Sequence, residues 1–330
     1  LQRNQVNMSH CFTSGNNKTG TPTPLLIILD TDMGPDCDDA GALAMLNVFC
    51  LRGKTRMLAI GHCTSSPWGA PCIDAINRYY GHLDIPVGTL KKPGFLDAEE
   101  HQSYNRPVAR QFPNRYASDP DSVPDVVSVY RQVLVSSPPA SVTFCAIGPL
   151  TNLADLLNSS ADNISPLTGM ELVKDRASRL VAMGGWFPEE DSGTPRLEFN
   201  LHEDPTAARR VLSDWPTPVF LSGFETGEKI LTGAQLVAEG PTSHPVREAY
   251  RLYPQTDKGN RMSWDLAALH YAACPKHKFW RVSTPGRITL TEEGASSWQA
   301  DPAGKHRVVY MAVAPETIAA EFDRLMLELP

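Results

Sequence analysis

An unbroken apolar run, Leu25-Leu26-Ile27-Ile28-Leu29, ends directly on a loop with five aspartates in ten residues, Asp30-Thr31-Asp32-Met33-Gly34-Pro35-Asp36-Cys37-Asp38-Asp39. No Lys or Arg interrupts that loop. The apolar run reads as a buried strand of a parallel sheet, and Ala40 to Cys50 (AGALAMLNVFC) reads as a helix packed behind it. The acidic loop therefore lies where a strand ends and a helix begins, the edge of an open α/β sheet at which ligands bind. Carboxylates crowded there repel one another, and several cannot stay ionised together in a partly buried site without a counter-charge. A bound hard divalent cation would provide one.

The strand, loop, helix pattern recurs along the chain. Arg56 to Ile60 precedes a helical pattern over Pro71 to Tyr80, and Ser141 to Ile147 precedes one over Leu150 to Leu157. Further strands are expected at Leu180 to Met183 and Pro218 to Leu221, with a helix opening at Asp204-Pro205, an N-cap followed by proline at the first helical position. The segment from Pro93 to Pro124 has no clear period and reads as a long excursion with short helices. Arg287 to Leu290 and Arg307 to Val313 suggest a late hairpin or edge addition before a closing helix over Pro315 to Leu329. The expected fold is thus α/β and Rossmann-like, a mostly parallel central sheet with helices on both faces. One domain over residues 25–330 is expected, preceded by a flexible, polar arm over 1–24.

A net charge of −7 without a long basic run argues against nucleic-acid binding. No apolar stretch reaches the ~18 residues of a membrane span. The seven cysteines show no CxxC or Cys/His ligand spacing, so zinc and redox motifs find no support. Cys37, among carboxylates, is expected to be unreactive. Four sequons, at Asn7, Asn17, Asn158 and Asn163, favour a secreted glycoprotein.

Several chemistries could use the acidic loop. An EF-hand fails, because its sixth and twelfth positions, counted from Asp30, are Pro35 and Gly41 instead of Gly and Glu. A haloacid-dehalogenase-like phosphohydrolase, with Asp30 or Asp32 as nucleophile and magnesium as cofactor, also places Asp-x-Asp at a strand end. A solvated helix N-terminus explains one or two aspartates by capping, but not five.

The loop resembles the opening signature of the inosine-uridine nucleoside hydrolases, in a variant expanded by two residues that include Asp36. Ala146-Ile147-Gly148-Pro149-Leu150-Thr151-Asn152-Leu153-Ala154 is similar to that family's central strand-turn-helix, and Met183-Gly184-Gly185 to its next strand end. Glu198-Phe199-Asn200 resembles its ribose-binding segment, and Ser263-Trp264-Asp265-Leu266-Ala267 stands where the family usually has His-Asp-Pro-Leu-Ala.

The resemblance implies a calcium-dependent N-ribohydrolase that cleaves a nucleoside to ribose and free base. Its calcium ligands map to Asp32, Asp39, Asp265 and the backbone carbonyl of Ile147. Asp32 would accept a proton from the attacking water. Asp38, Glu198 and Asn200 would hold the ribose, with Ser192 where the family commonly has Asn. Trp264 would stack on the base, which favours purine nucleosides, and Trp68 could form the opposite wall. A non-catalytic calcium- or ribose-binding protein also fits the departures at Ser192, Trp264 and Ser65-Ser66. The resemblance leaves room for a homodimer or homotetramer, while the place of Asp36 stays open: a different placement of the insertion would displace Asp32 from the metal.

Overall fold

The computed structural model describes residues 23–116, 118–189 and 196–330. Its strands are β1 (Leu25–Thr31), β2 (Thr55–His62), β3 (Val87–Thr89), β4 (Val142–Ala146), β5 (Ala177–Met183), β6 (Val219–Ser222), β7 (Leu231–Thr232), β8 (Arg261–Met262), β9 (Trp280–Val282), β10 (Gly286–Leu290), β11 (Ser296–Ala300) and β12 (His306–Met311). Ten of them form one sheet, with path β11-β10-β12-β6-β5-β4-β1-β2-β3 and β9 paired to β12. From β12 to β3 every neighbouring pair is parallel. The Rossmann-like α/β expectation therefore holds.

The chain winds outward from β1 through β2 to β3, then returns to β4 on the other side of β1. Loops leaving the ends of β1 and β4 consequently diverge, and the crevice between them is the topological switch point of the sheet. The acidic loop leaves β1 at this crevice, and Ile147-Gly148 leaves β4 opposite it.

Alternation along β1 divides the core. Ile27 and Leu29 join a cluster on one face with helices Asp38–Leu51 and Trp264–Ala273, whereas Ile28 joins a second cluster on the other with helices Val126–Val135, Thr151–Asn158 and Pro205–Asp214. Helix Asp38–Leu51 is buried over most of its circumference and packs against helix Trp264–Ala273, which is why its sequence is apolar without a polar stripe.

Most expected elements appear with shifted ends. The first helix begins at Asp38 instead of Ala40, because two carboxylates suit the positive end of a helix. Asp204 caps its helix through Ala207 N at 3.0 Å, with Pro205 at the first position. The 93–124 excursion carries the 3₁₀ turn Glu99–Gln102, the helix Asn105–Gln111 and a second 3₁₀ turn, Pro120–Ser122. Near the C-terminus the expected edge addition appears, but not as a hairpin of Arg287–Leu290 with Arg307–Val313: β10 pairs with β11, a strand not expected from sequence, and meets β12 only at Gly286 and His306, while β12 pairs parallel to β6 and extends the main sheet. Among the described residues no helix is long and apolar enough to cross a membrane. The arm expected over residues 1–24 lies almost wholly outside the described residues, as do the sequons at Asn7 and Asn17.

Candidate active site

A cavity of about 400 Å³ opens at the switch point, large enough for a small organic molecule. At its floor, Asp38 and Asp39 occupy the first turn of helix Asp38–Leu51, and Asp265 the first turn of helix Trp264–Ala273. These three buried carboxylates each present an oxygen within 4.8 Å of the others. The backbone N–H of Asp265 donates to Asp38 Oδ2 at 3.1 Å, tying the two helix ends together. Thr31 donates its hydroxyl to Asp39. Asp32 lines the same cavity.

Burial pushes the carboxyls of Asp38, Asp39 and Asp265 well above the ordinary range, and the negative charge of their neighbours adds to the effect. Burial likewise raises Asp32 to about 8, assisted by Asp36 and Asp30 and opposed by hydrogen bonds to its own backbone and to Asp39. Carboxylates crowded and buried in this way favour a counter-charge, and an all-oxygen donor set fits a hard divalent ion. Asp38, expected at the ribose, stands within the converging trio, while Asp32 lies beside it.

Each aspartate of the loop has a distinct environment. Asp30, at the end of β1, accepts from Tyr130 Oη and from Asn152 Nδ2, the latter at 2.8 Å, and does not line the cavity. Its burial raises it to about 7. Asp36 forms a two-pronged ion pair with Arg261, whose Nε lies 3.0 and 2.9 Å from the two carboxylate oxygens. The two-residue expansion therefore bulges toward Arg261 and leaves Asp32 facing the cavity. The loop is clamped from outside by Tyr104 Oη on the Asp36 carbonyl at 2.6 Å and Tyr253 Oη on the Pro35 carbonyl at 2.9 Å.

Gly148 permits the close approach of the two strand ends. A Cβ there would lie 2.8 Å from Asp32 Oδ1 and 2.7 Å from Cys63 Sγ. Cys37 is buried beneath the loop with its thiol pushed well up by burial and by Asp36 and Asp38, as its surroundings predicted. The six cysteines of the described residues are all unpaired.

Glu198 and Asn200 line the cavity, but Glu198 is also an N-cap: its carboxylate accepts from the N–H groups of Asn200 (2.9 Å), Leu201 (3.1 Å) and Gly185 (2.9 Å). Burial raises it to about 7 against those three bonds. Asn200 Nδ2 donates to Met183 O at 3.3 Å and reaches Ile147 O at 3.5 Å, and Ile147 lines the cavity beside it.

Trp264 lines the aromatic end, its ring 5.1 Å from that of Phe224 and its indole N–H donated to Phe224 O at 3.0 Å. Trp68 does not join it. That expectation is corrected: Trp68 caps helix Gly69–Tyr79 outside the cavity, with the Arg110 guanidinium 4.8 Å from its ring. The opposite wall comes instead from Glu100 and His101 of the excursion and from Tyr253. Ser192 lies outside the described residues. His202 donates from Nδ1 to Glu293 O, 2.8 Å away, and is no part of the cavity. His62, fully buried between Thr64 and Thr89 and held at about 3 by burial, supports the strand end.

Arg261, Tyr253, Phe224 and His101 were not singled out by sequence. Arg261 stands three residues before Trp264, which was the one available signal. The others come from short turns and helix ends, and their spatial neighbours can lie as far off as Pro35 from Tyr253, 218 residues away.

A Rossmann-like sheet with converging carboxylates and an aromatic wall at its switch point defines a small-molecule site with an acidic cluster that could hold a cation. Comparison with known proteins makes the class specific. The model of the inosine-uridine preferring nucleoside hydrolase family matches residues 27–315, and the chain belongs to that family. It is 30% identical over 264 residues to the non-specific ribonucleoside hydrolase RihC of Klebsiella pneumoniae, covering 76% of this chain and 80% of that protein. It is 26% identical to a probable uridine nucleosidase 2 of Oryza sativa, where the match covers 58% of this chain and 54% of the relative. An uncharacterized protein of Schizosaccharomyces pombe is 32% identical, over 38% of this chain and 36% of its own length. The chain thus spans about a third to about half of the length of these last two relatives. In fold, an inosine-uridine preferring nucleoside hydrolase from Bacillus anthracis superposes with a TM-score of 0.68 at 17% identity, covering 92% of this chain and 99% of the other.

Proposed function

We propose that this chain is a calcium-dependent nucleoside N-ribohydrolase with a preference for purine nucleosides. The observation that carries the reading is the convergence of Asp38, Asp39 and Asp265 beside Asp32, in a cavity whose far end is aromatic. Calcium fits the donor set, which is all oxygen, multiply charged and includes backbone carbonyl. Asp38, Asp39 and Asp265 would hold it, with Asp32 and the Ile147 carbonyl completing the protein's share. When bound, calcium would supply the charge that acidifies water and anchors vicinal hydroxyls.

The chain's own residues then divide the work. Asp32 takes a proton on its carboxylate as water attacks the anomeric carbon. Asn200 presents its side-chain amide to the sugar, its oxygen accepting from a hydroxyl while Nδ2 stays on the Met183 and Ile147 carbonyls. Glu198, committed to three backbone donors, keeps Asn200 in register and contributes to the sugar side of the wall. Trp264 and Phe224 present flat apolar faces to a purine, the larger base filling the aromatic end. The competing phosphohydrolase reading keeps only Asp32 as a nucleophile, because Asp30 is buried and bonded away from the cavity. Secretion with glycosylation, a single folding unit over 25–330 and assembly into a homodimer or homotetramer belong to the same proposal, on the sequons and the family resemblance.

The test is release of reducing sugar from a panel of purine and pyrimidine nucleosides, with calcium and with chelator. Turnover of inosine, adenosine or guanosine is expected with calcium and not with chelator. Asp32→Ala should lower it by ~10³-fold or more while circular dichroism stays unchanged. No sugar from any nucleoside would sink the reading.

A further inference from the structure

Hydrolysis of an N-glycosidic bond leaves the bonding pair on the base, so the far end of the cavity must accommodate negative charge. Of the neutral donors there, His101 and Gln255 line the cavity with no bond across it among the described residues, whereas Trp264 and Tyr253 are committed. The Trp264 indole N–H is bonded to Phe224 O at 3.0 Å and the Tyr253 hydroxyl to Pro35 O at 2.9 Å. Arg261 is the one Arg or Lys among the described residues lining the cavity. Its guanidinium sits 5.1 Å from the Trp264 ring and 5.3 Å from the Tyr253 ring, against the same aromatic walls. Asp36 engages only Nε and Nη2. Among the described residues Nη1 meets nothing better than Met262 Sδ at 3.8 Å.

We propose that Arg261 is the residue that hydrogen-bonds the departing nucleobase through Nη1, and that Asp36 is its positioning residue. This rests on the nucleosidase reading above and names the device that lets the base leave. As the C1′–N bond breaks, its electron pair passes to the base, and the guanidinium stabilises the resulting anion by a charge-assisted hydrogen bond. Arginine does not give up its proton at working pH, so the base takes its proton from solvent, and the proton from the attacking water leaves through Asp32. The pair also assigns a task to the expanded loop: without Asp36 the guanidinium has no partner fixing its plane between two rings. A donor at this place favours bases with a carbonyl oxygen and ring nitrogen on one edge, the 6-oxopurines, over adenine, whose amino group would face a cation.

Two substrates separate this from the parent reading: inosine, and 4-nitrophenyl β-D-ribofuranoside, whose phenolate leaves unaided. In Arg261→Gln, kcat on inosine should fall ~10²-fold while the nitrophenyl riboside changes by less than about threefold. Asp36→Asn, which keeps the arginine, should lower kcat on inosine ~10-fold with the same selectivity. Guanidinium added to Arg261→Ala should restore part of the inosine rate and none of the other. Equal loss on both substrates, or no loss on inosine, overturns the inference and leaves the nucleosidase reading intact. So does a selective loss in His101→Asn that Arg261→Gln does not share. A wild-type protein that cleaves neither substrate ends both. Should Arg261→Gln fail to fold, Asp36→Asn and the guanidinium rescue decide the matter alone.

Discussion

Gly148→Ala probes the narrowest point of the site. The added methyl would lie 2.8 Å from Asp32 Oδ1, 2.9 Å from Asp32 N and 2.7 Å from Cys63 Sγ, where ordinary contacts exceed 3.4 Å. Relief requires movements of ~0.5 Å, and the backbone has little freedom to supply them. Ile147 N is bonded to Asp30 O at 2.8 Å and Cys63 N to Thr31 O at 2.9 Å, so β1 is held on both sides of the contact. Overpacking of this kind costs about 1–3 kcal/mol. For a chain of this size that lowers Tm by roughly 1–4 °C. The softest element is the Asp32 side chain, which would turn away from the cavity. A displacement near 1 Å in a reacting group costs on the order of 10²-fold in rate. Thermal unfolding and nucleoside turnover, measured on the same preparation, are the assays, with Gly53→Ala as control because no atom lies within 4 Å of the Cβ it would carry. Gly53→Ala should cost some stability through its φ of +66° and leave turnover unchanged. If Gly148→Ala matches the wild type in both Tm and turnover, the close approach of β1 and β4 does not position Asp32 and the argument fails.

Two further outcomes follow from the charge distribution. Calcium at 100-fold over its Kd should stabilise the chain by about 3 kcal/mol, and chelator should remove that gain. A Tm indifferent to both would refute the cation site, and Asp265→Asn should abolish the calcium response. At the other end of helix Trp264–Ala273, His270 accepts from Trp280 Nε1 at 2.9 Å, and burial holds it down at about 3. The folded state refuses a proton that the unfolded chain takes near pH 6.5, so stability is full above that pH and is lost as pH falls through 6.5 toward 3. The loss from this one group reaches about 2 kcal/mol at pH 5. Denaturant unfolding of His270→Gln should therefore show a pH 8 to pH 5 decline smaller by that amount, and an unchanged decline would refute the assignment.

The local elements were legible because they are periodic or punctuated. Leu25–Leu29 alternates between two cores only in the structure, yet its uninterrupted apolarity already required burial on both faces. Asp204-Pro205 announced a helix by capping chemistry that needs nothing distant. The acidic loop, too, demanded a cation on electrostatic grounds, wherever its partners lay. What remained hidden was pairing across the chain. Asp265, 226 residues beyond Asp39, was placed by resemblance, and its convergence with Asp38 and Asp39 depends on two helix ends meeting under the sheet.

The same limit explains the residues misplaced or missed. Trp68 and Trp264 look alike in sequence, each an aromatic at the start of a helix. Each lies beside a guanidinium, but only Trp264 lines the cavity, a difference set by which helix faces the switch point. His101 and Tyr253 sit in segments without period, where nothing local records which wall they form. Asp36 was ambiguous for a physical reason: a carboxylate among carboxylates can serve a metal or an arginine, and only the fold brings Arg261 within reach. The sequence alone determined a strand ending in crowded negative charge, hence the need for a cation and the α/β frame that carries it. The tertiary structure decided which carboxylates converge and which one answers to Arg261, because only the packed sheet sets distances between residues so far apart in the chain.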